Sequence, residues 1–365
     1  MSKAAELANL IGNINAGGGG VNRNVIINGA MNVAQRGTST TGISSSGYYV
    51  CDRWRIASSA TDGRATMTQD SSAPEGFANS TKLACTTADT SIASNELFIF
   101  QQRIEGQNVQ QFAKGTSGAK PITVSFYVKG NASATYTAEL EDSDNTRYNS
   151  QAFSVTTDWT RVTKTFVADT TGTLDDDNAV SFRLNIWLHA GSQFSSGTHT
   201  SNAWHTTEAQ RIADGTSSFF DSTDRTFFIT GVQLEVGQNP TSFEHISNFG
   251  EELAMCQRYY HLVASGSTKM MGMGDMYTTS QLNCIMHFPV QMRAIPSLDA
   301  TSGTNYYTAY GANSQTNMTN AWNLFAMTNN VASVYAAPTA SVTAGSAMRV
   351  FANNSSASIA FDAEL

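Results

Sequence analysis

The sequence predicts a mainly β protein, in which a jelly-roll β-sandwich is followed by a short linker helix and a small C-terminal β domain. Residues 24–236 contain short runs of alternating apolar and polar side chains separated by polar turns, a pattern typical of antiparallel strands. The absence of a repeat of roughly 20 to 50 residues argues against a propeller or β-helix. Only 14% of the residues are charged, against about 25% in a typical globular chain. Neutral polar side chains must therefore provide most of the surface groups that hydrogen-bond to water.

The chain divides into four predicted parts. Its 365 residues, 41% of them hydrophobic, suffice for more than one core. Residues 1–20 are predicted to form a docking helix and glycine tether, 21–246 the jelly-roll sandwich, 247–264 the linker helix and 265–365 the C-terminal β domain. The turn sequence 237–240 ends the closing strand of the sandwich, because its proline cannot continue a central strand.

The N-terminal segment from Ser2 to Ile14 has apolar residues spaced three and four apart, which predicts an amphipathic helix. These residues are Leu7, Leu10, Ile11 and Ile14. A helix this short is marginal alone in water, and four glycines follow it as a flexible tether. Two interpretations stay open: the helix docks onto a larger assembly or onto copies of itself, or it folds back onto its own domain.

Strands are predicted wherever apolar and polar residues alternate between turn signals. In the sandwich these are residues 25–33, 97–104, 122–128, 153–157, 161–167, 182–188 and 228–236, with a tight hairpin at residues 158–160. The first of them is broken at Asn28–Gly29, a pair suited to a turn or bulge. Trp54, between Arg53 and Arg55, is expected to anchor the core, while the two arginines pair with acids on the surface.

The linker helix is predicted from apolar residues at helical spacing after Asn248, which is placed as its N-cap with Glu251 in the capping-box position. The apolar positions are Phe249, Leu253, Cys256, Tyr260 and Val263. We expect Phe249, Leu253 and Tyr260 to take part in assembly, because a stripe between two β domains is easily buried against a symmetry mate.

The C-terminal domain is predicted to contain strands at 280–288, 332–336, 347–352 and 357–361, the last two joined by a hairpin-like turn. Residues 270–276 hold four methionines and two glycines. The methionines could fill an irregular core, form a seam between subunits, or bind copper. The last is disfavoured because no His and Cys motif accompanies them.

The net charge, the N-terminal sequence and the cysteine spacing argue against several kinds of partner, location and metal site. The net charge is −8 and no Lys/Arg run occurs, so nucleic acid is not an expected partner. The N-terminus lacks a signal-peptide pattern and no run approaches 18 apolar residues, so synthesis in a cytoplasm without membrane insertion is expected. The cysteines, 51, 85, 256 and 284, form no CxxC pair, which disfavours zinc. A Cys51–Cys85 disulfide stays open, and Cys256 is interpreted as a buried hydrophobe.

Catalysis is not predicted. The acidic stretches, Glu139 to Asp144 and Asp175 to Asn178, lie between predicted strands and are interpreted as solvated turn acids. A glycosidase would need two carboxyls flanking the sugar bond. Asp175 to Asn178 could equally ligate calcium through hard oxygens, although the stretch lacks the spacing of an EF-hand loop. The six histidines are scattered and no catalytic motif occurs. We therefore predict no enzyme activity and no cofactor, and no metal site is assigned, although a structural calcium stays open.

The residues favour binding of a sugar ligand over catalysis. Trp187 falls on the strand face opposite Leu184 and Ile186, on the same side as Arg183 and Asn185. An aromatic plate flanked by hydrogen-bond donors suits a sugar ring. Trp204 and His205, in the following polar loop, would form the rim of that site. The alternative is that Trp187 packs beneath this loop or at a subunit contact.

Several motifs, in this order, resemble a known group of proteins: Asn24–Gly37, Tyr49–Arg55, Gln102–Gly106, Val124–Lys129 and Cys256–Tyr260. The first motif and the closing strand Ile229–Val236 resemble the jelly-roll carbohydrate-binding-module superfamily. More closely, residues 1–262 resemble a virion appendage protein of tailed phages, particularly marine podoviruses. Proteins of the carbohydrate-binding-module superfamily often hold a structural calcium through an Asp in the closing strand, where this chain has Gly231.

This resemblance implies a tail-fibre, head-fibre or capsid-decoration protein on the virion surface, assembled in the host cytoplasm and involved in host attachment. The implied partners are other virion proteins, through the N-terminal helix, and further copies of the chain in a homotrimer. A host-surface glycan is the implied ligand. The alternative is a glycan-binding receptor module, and the least supported hypothesis is a polysaccharide-degrading enzyme.

Overall fold

The computed structural model describes residues 2–15, 23–213, 215–246, 248–311 and 316–365, with the side chains of 13–15 and 316–318 left out. The chain forms two compact units. The first extends to Glu252 and includes Leu365, and the second covers Leu253–Glu364. Both units consist mainly of antiparallel sheets, which confirms the predicted fold class. The predicted boundaries after residues 20, 246 and 264 stay predictions.

The first unit contains two helices of its own and twelve strands among its described residues. In chain order they are α1 (Lys3–Asn15), β1 (Ser39–Ile43), β2 (Gly47–Tyr48), β3 (Arg55–Ser59), β4 (Arg64–Asp70), β5 (Ser80–Thr87), β6 (Leu97–Glu105), β7 (Ile122–Gly130), β8 (Ala134–Asp142), β9 (Arg147–Val155), β10 (Thr160–Phe166), β11 (Val180–Ala190), α2 (Ser192–Ser195) and β12 (Thr226–Val236). Short 3-10 turns cover Gly106–Asn108, Gln110–Phe112 and Glu208–Gln210.

These strands form a two-sheet sandwich. The first sheet has the order β1-β4-β5-β12-β7-β10 and the second β2-β3-β6-β11-β8-β9. The inward side chains of both sheets form one apolar core in which Trp54 is fully buried, as predicted, and stacks on Phe100 with ring centroids 4.6 Å apart. Each large apolar side chain so buried contributes about 1.5–3 kcal/mol.

The predicted strand at 25–33 does not form, whereas the turn predicted at Asn28–Gly29 does. The segment is buried but irregular, because Asn28 and Met31 have φ angles of 57° and 58°. The side-chain amide of Asn28 donates to the carbonyls of Val33 and Asp52, at 2.8 and 3.0 Å. A Cβ at Gly29 would lie 2.2 Å from the carbonyl oxygen of Val232. The segment is therefore a turn fixed by side-chain hydrogen bonds and close backbone packing.

The two predicted hairpins are also wrong. Residues 156–159 connect β9, which pairs with β8, to β10, which pairs with β7, so this turn joins the two sheets. Residues 353–357 likewise join strands of different sheets. Turn chemistry marks a reversal of the chain, but the partner of each strand is decided by burial in the sandwich.

Helix α1 forms as predicted and lies against the first unit. Asn9 Nδ2 donates to the carbonyl of Pro240 at 3.5 Å, and Ser242 Oγ donates to Glu6 Oε1 at 3.3 Å. Leu7 and Ile11 are exposed, whereas Leu10 is half-buried. The side chain of Ile14 and the glycine tether lie outside the description.

The linker helix α3 (Phe249–Gln257) is shorter than predicted. Asn248 Oδ1 accepts from the Gly250 N–H at 2.8 Å, as a capping residue should. Tyr260 and Val263 belong instead to a strand, in which Tyr260 pairs with Asp362. The predicted helical stripe is therefore wrong beyond Cys256, because strand pairing outweighs the local periodicity.

The second unit consists of a three-stranded and a seven-stranded sheet. Its strands are β13 (Tyr260–Ser265), β14 (Lys269–Thr278), β15 (Gln281–His287), β16 (Ser297–Ala300), β17 (Tyr307–Tyr310), β18 (Thr316–Thr319), β19 (Asn323–Met327), β20 (Val331–Ala336), β21 (Ala347–Ala352) and β22 (Ser358–Asp362). The orders are β13-β22-β16 and β18-β17-β21-β14-β15-β20-β19. Met271 and Met276 lie in the core between them, whereas Met270 and Met273 are exposed.

All four cysteines are buried and none is assigned to a disulfide, so the Cys51–Cys85 disulfide left open by the sequence is not formed. Thr81 Oγ1 donates to Cys51 Sγ at 3.2 Å, and Cys85 Sγ contacts the carbonyl of Thr87 at 3.3 Å. Cys256 is fully buried, as expected. Among the helices that the structure describes, none is long and apolar enough to cross a membrane.

Candidate functional site

The outward face of the second sheet carries the residues with the most chemistry. Because side chains alternate along β11, Leu184 and Ile186 point into the core while Arg183, Asn185 and Trp187 share the opposite face. Register places Arg183 between Arg103 on β6 and Glu141 on β8, and Asn185 between Gln101 and Glu139. On β3, Arg55 pairs with Gln101 on one side and with Tyr48 on the other.

One half of this face is closed by the covering segment, residues 191–213. Phe194 and Ile212 from this segment pack on Trp187, with Ala57 and Ile99 beside it. Trp187 is fully buried, and its ring centroid lies 5.1 Å from that of Phe194. The exposed sugar platform predicted at Trp187 is therefore wrong, and the alternative, in which this residue packs beneath the loop, is confirmed.

A buried ionic network fixes the covering segment to the sheet. Arg211 donates from Nε to Glu139 Oε1 at 2.8 Å, and from Nη2 to Glu139 Oε2 at 2.7 Å and Glu141 Oε2 at 2.9 Å. Asn185 Nδ2 and Trp187 Nε1 also donate to Glu139 Oε2, each at 2.8 Å. Burial opposes the Arg211 charge, but the two carboxylates outweigh it and hold the pKa of Arg211 above its ordinary value.

The acids of β8 are thus not solvated turn acids, which corrects the prediction for Glu139, Glu141 and Asp142. Asp142 is also buried and pairs with Lys114. Asp144 and the stretch 175–178 are exposed as expected. Because every oxygen of Glu139 and Glu141 accepts a hydrogen bond from a neighbouring side chain, these carboxylates are held in place rather than presented to a substrate.

The other half of the face is not covered by this segment and holds the arginine cluster, which we define as Arg55, Arg103 and Arg183. All three are half-buried. Arg55 Nη1 and Arg103 Nε both donate to Gln101 Oε1, at 3.0 and 3.1 Å. Within the described ranges, only Arg183 forms an ion pair with a side-chain carboxylate, from Nη1 to Glu141 Oε1 at 2.8 Å.

The cluster carries more positive charge than its surroundings neutralise. Arg103 and Arg183 are direct cross-strand partners, an arrangement that is unfavourable for like charges. Burial lowers the pKa of Arg103 to about 10, and the charges of Arg55 and Arg183 add to this effect. Burial, and to a smaller degree Arg183, also lowers the pKa of Arg55. Arg183 Nε is buried without a hydrogen-bond partner in the described part of the chain.

An oxygen already lies on the cluster in this structure. The backbone oxygen of Leu365, which groups with the first unit, accepts from Tyr48 Oη and from Arg103 Nη1, each at 2.9 Å. Arg103 and Tyr48 are therefore oriented so that both donate to one acceptor above the sheet. The position resembles the placement needed for an oxygen of a ligand.

The two remaining predicted rim residues lie elsewhere. Trp204 packs against the main core, and its Nε1 donates to the carbonyl of Val167 at 2.8 Å. The backbone of His205 pairs with Tyr148 on the edge strand β9, and burial lowers the pKa of His205. Trp187 belongs to a separate small cluster, so the structure does not bring the two tryptophans together in one site.

A row of Ser218, His189 and Glu96 has the composition of a catalytic triad but not its surroundings. Ser218 Oγ lies 2.8 Å from His189 Nδ1, and His189 Nε2 lies 2.9 Å from Glu96 Oε2, beside a cleft of about 230 Å³. The backbone N–H groups of residues 216, 217, 219 and 220 all donate to other acceptors, so none of them forms an oxyanion hole. We interpret these three residues as a structural hydrogen-bond network that links β11 to the segment after it.

No cluster of three or more His, Cys, Asp or Glu side chains within residues 2–15, 23–213, 215–246, 248–311 and 316–365 is arranged to hold a metal ion. Gly231 has a φ of 61°, and a Cβ there would lie 2.6 Å from the Phe77 ring and 2.9 Å from the Tyr127 ring. This position in the closing strand fits glycine and leaves no room for a longer side chain.

No protein-family model matches the chain, and no curated protein matches its sequence. The chain is similar to several solved structures. A xylan-binding domain of carbohydrate-binding module family 22 has a TM-score of 0.29 at 13% identity, covering 52% of this chain and 89% of that one. A family 11 carbohydrate-binding module from Clostridium thermocellum, in complex with a mixed-linked tetrasaccharide, has a TM-score of 0.27 at 10% identity, covering 57% and 98%.

The enzymatically active domain of tailspike protein 4 from bacteriophage CBA120 has a TM-score of 0.28 at 11% identity, covering 59% of this chain and 21% of that one. TM-scores this low carry no argument about function. The sandwich architecture rests on the strand pairing of this chain itself.

Sequence reasoning missed Arg55 and Arg103 as site residues. It identified Arg183 but expected Arg55 to pair with an acid, whereas Arg55 donates to the amide oxygen of Gln101. One signal was present: Arg55, Gln101, Arg103 and Arg183 all occupy positions that alternate with core residues of their strands. Which strands are neighbours could not be read from that alternation.

Proposed function

We propose that the first unit binds an acidic carbohydrate on the open half of the second sheet, through the arginine cluster. The observation that carries the proposal is the presence of three arginines on adjacent strands of an accessible face, with one carboxylate paired to them among the described residues. This proposal narrows the glycan-binding alternative and moves its site away from Trp187.

The chemistry of the face supports a carboxylate-bearing sugar. Guanidinium groups bind carboxylates through two parallel hydrogen bonds, and a bound anion would relieve the repulsion between Arg103 and Arg183. Tyr48 Oη adds a neutral hydrogen-bonding group suited to a sugar hydroxyl, while buried Gln101 orients Arg55 and Arg103. From β2 to β11 the strip is about 14 Å wide, enough for an extended chain of sugars rather than a single ring. The proposed role is binding without catalysis.

The test is binding of a polyuronate, such as polygalacturonate, compared with a neutral polysaccharide by calorimetric titration. Replacing Arg55 or Arg103 by Gln should weaken polygalacturonate binding about 10- to 100-fold, because a hydrogen bond to a charged group is worth about 1.5–3 kcal/mol. Added salt should weaken it further. Lys120→Gln, which makes the same charge change outside this face, is the matched control.

Equal affinity for polygalacturonate in the Arg55→Gln and Lys120→Gln variants would contradict the assignment of the site. Binding of the neutral polysaccharide alone would contradict the acidic ligand. Sugar release during incubation would contradict the non-catalytic role.

A second candidate function is that of a virion appendage that docks through α1, and the exposure of Leu7 and Ile11 favours it. Polar contacts from Asn9 and Glu6 hold the helix to its own unit, while these two apolar side chains face water. Deleting residues 1–20 should leave the sandwich folded but abolish incorporation into particles or lower the self-associated mass. Normal incorporation and an unchanged mass would contradict docking. The location on the virion surface and the homotrimer, with a mass near three times 39.1 kDa, belong to this candidate.

A further inference from the structure

The outward face of the seven-stranded sheet in the second unit is unusually apolar for a surface. Alternation directs Met276, Leu282 and Cys284 into the core and leaves their neighbours on the opposite side. We call this opposite side the Met273 face; its apolar members are Met270, Met273, Tyr277, Ile285, Tyr310 and Phe351. Cross-strand pairing joins them, since Met270 pairs with Phe351 and Tyr310 contacts Phe351 with ring centroids 5.5 Å apart.

The size of this face is that of an interface rather than of scattered exposed residues. Met273 and Ile285 are 63% and 60% exposed, and Tyr277 is 67% exposed. With large side chains of about 200 Å² each, the apolar members expose on the order of 600 Å². The largest apolar patch of a monomer is typically about 300–600 Å². Exposed polar neighbours bring the face close to the roughly 800 Å² per partner that a stable complex buries.

The charges on the face identify what covers it. Asp275 and Arg349 are both exposed, and they are diagonal neighbours across β14 and β21, since Met273 pairs with Arg349 and Asp275 with Ala347. Within the described residues, neither forms an ion pair. The face is therefore locally neutral on a chain with a net charge of −8. A second copy turned by a two-fold axis would place each Arg349 against the partner's Asp275, so the surface is complementary to itself.

We propose that the Met273 face binds the same face of a second copy of this chain, related by a two-fold axis. The two sheets pack about 10 Å apart, as in a sandwich, with Met273 and Ile285 at the centre and two Asp275–Arg349 pairs flanking them. Methionine, tyrosine and arginine are enriched in such interfaces. This pairing gives Met270 and Met273 the role of a seam between subunits, while Met271 and Met276 fill the core.

The first test measures mass against concentration by analytical ultracentrifugation. The native chain should approach twice 39.1 kDa. Ile285→Asp should remain at the mass of one chain, because it places two carboxylates in an apolar contact. Ile295→Asp is the matched control: Ile295 is 67% exposed in the same unit but lies in the loop after β15, outside the face, so this variant should still pair. Both variants change exposed side chains, so at concentrations too low for pairing their unfolding curves should overlay that of the native chain.

The second test uses charge reversal. Arg349→Asp alone and Asp275→Arg alone should each stay single, because like charges then meet twice across the axis. Mixing the two variants should restore a two-chain species, since each contact again joins opposite charges.

A single-chain mass at all concentrations would overturn the proposal, as would pairing unaffected by Ile285→Asp. A three-chain mass would replace the two-fold pair by the homotrimer predicted from the sequence. Failure of the mixture to re-form pairs would overturn the two-fold arrangement.

Discussion

Replacing Trp187 by Ala separates the two roles considered for this residue. Trp187 is fully buried, packs on Phe194 and Ile212, and donates from Nε1 to Glu139. Truncating a buried tryptophan costs about 3–5 kcal/mol through lost contacts and the cavity left behind. Trp187→Phe keeps most of the packing but removes the hydrogen bond to a buried carboxylate, for about 1.5–3 kcal/mol. We therefore expect the free energy of unfolding to fall by about 4 kcal/mol for Ala and about 2 kcal/mol for Phe.

Guanidinium unfolding followed by tryptophan fluorescence measures these values. Of the five tryptophans only Trp322 lies in the second unit, so the signal reports mainly on the sandwich. Trp159→Phe, at a half-buried turn position, is the control for the change in fluorescence. A loss below about 1 kcal/mol for Trp187→Ala, far under the cost of a core tryptophan, would refute the reasoning. If Trp187→Ala lost glycan binding but kept the native stability, the prediction of an exposed sugar platform at Trp187 would be restored.

Two further predictions concern titratable groups. Burial lowers the pKa of His261, so in the acid range the unfolded chain binds more protons and stability falls as the pH drops below about 6.5. His261→Gln should reduce the loss of unfolding free energy between neutral and mildly acidic pH, and an unchanged loss would contradict this. Burial raises the pKa of Cys51 to about 12 and of Cys284 to about 11, so a thiol reagent at mildly alkaline pH should react slowly with the folded chain. After denaturation without reductant, all four thiols should react with the reagent. Reaction of only two thiols would indicate that the other two form a disulfide.

The alternation of apolar residues determined the fold class and most strands of the sandwich, because a strand with one buried face must alternate. Val180–Ala190 and Thr226–Val236 form where the pattern placed them. It also placed Arg183, Asn185 and Trp187 correctly on one face. The capped start of α3 at Asn248 was equally local, since a cap depends only on residues within one turn.

Whether that face meets water was decided by the tertiary structure. The covering segment, held by Arg211 on Glu139, closes the part of the face that contains Trp187, and no local pattern shows that a loop returns over a sheet. The same long-range pairing placed Tyr260 in a strand rather than in a helix.

The sequence by itself therefore determined which side chains share a face, because that depends on the period of two along each strand. Only the tertiary structure decided which strands are neighbours, and hence that Arg55, Arg103 and Arg183 meet. It also decided that the Met273 face carries Asp275 beside Arg349. Both juxtapositions join residues that are far apart along the chain. They arise from the burial of two whole sheets rather than from any local preference.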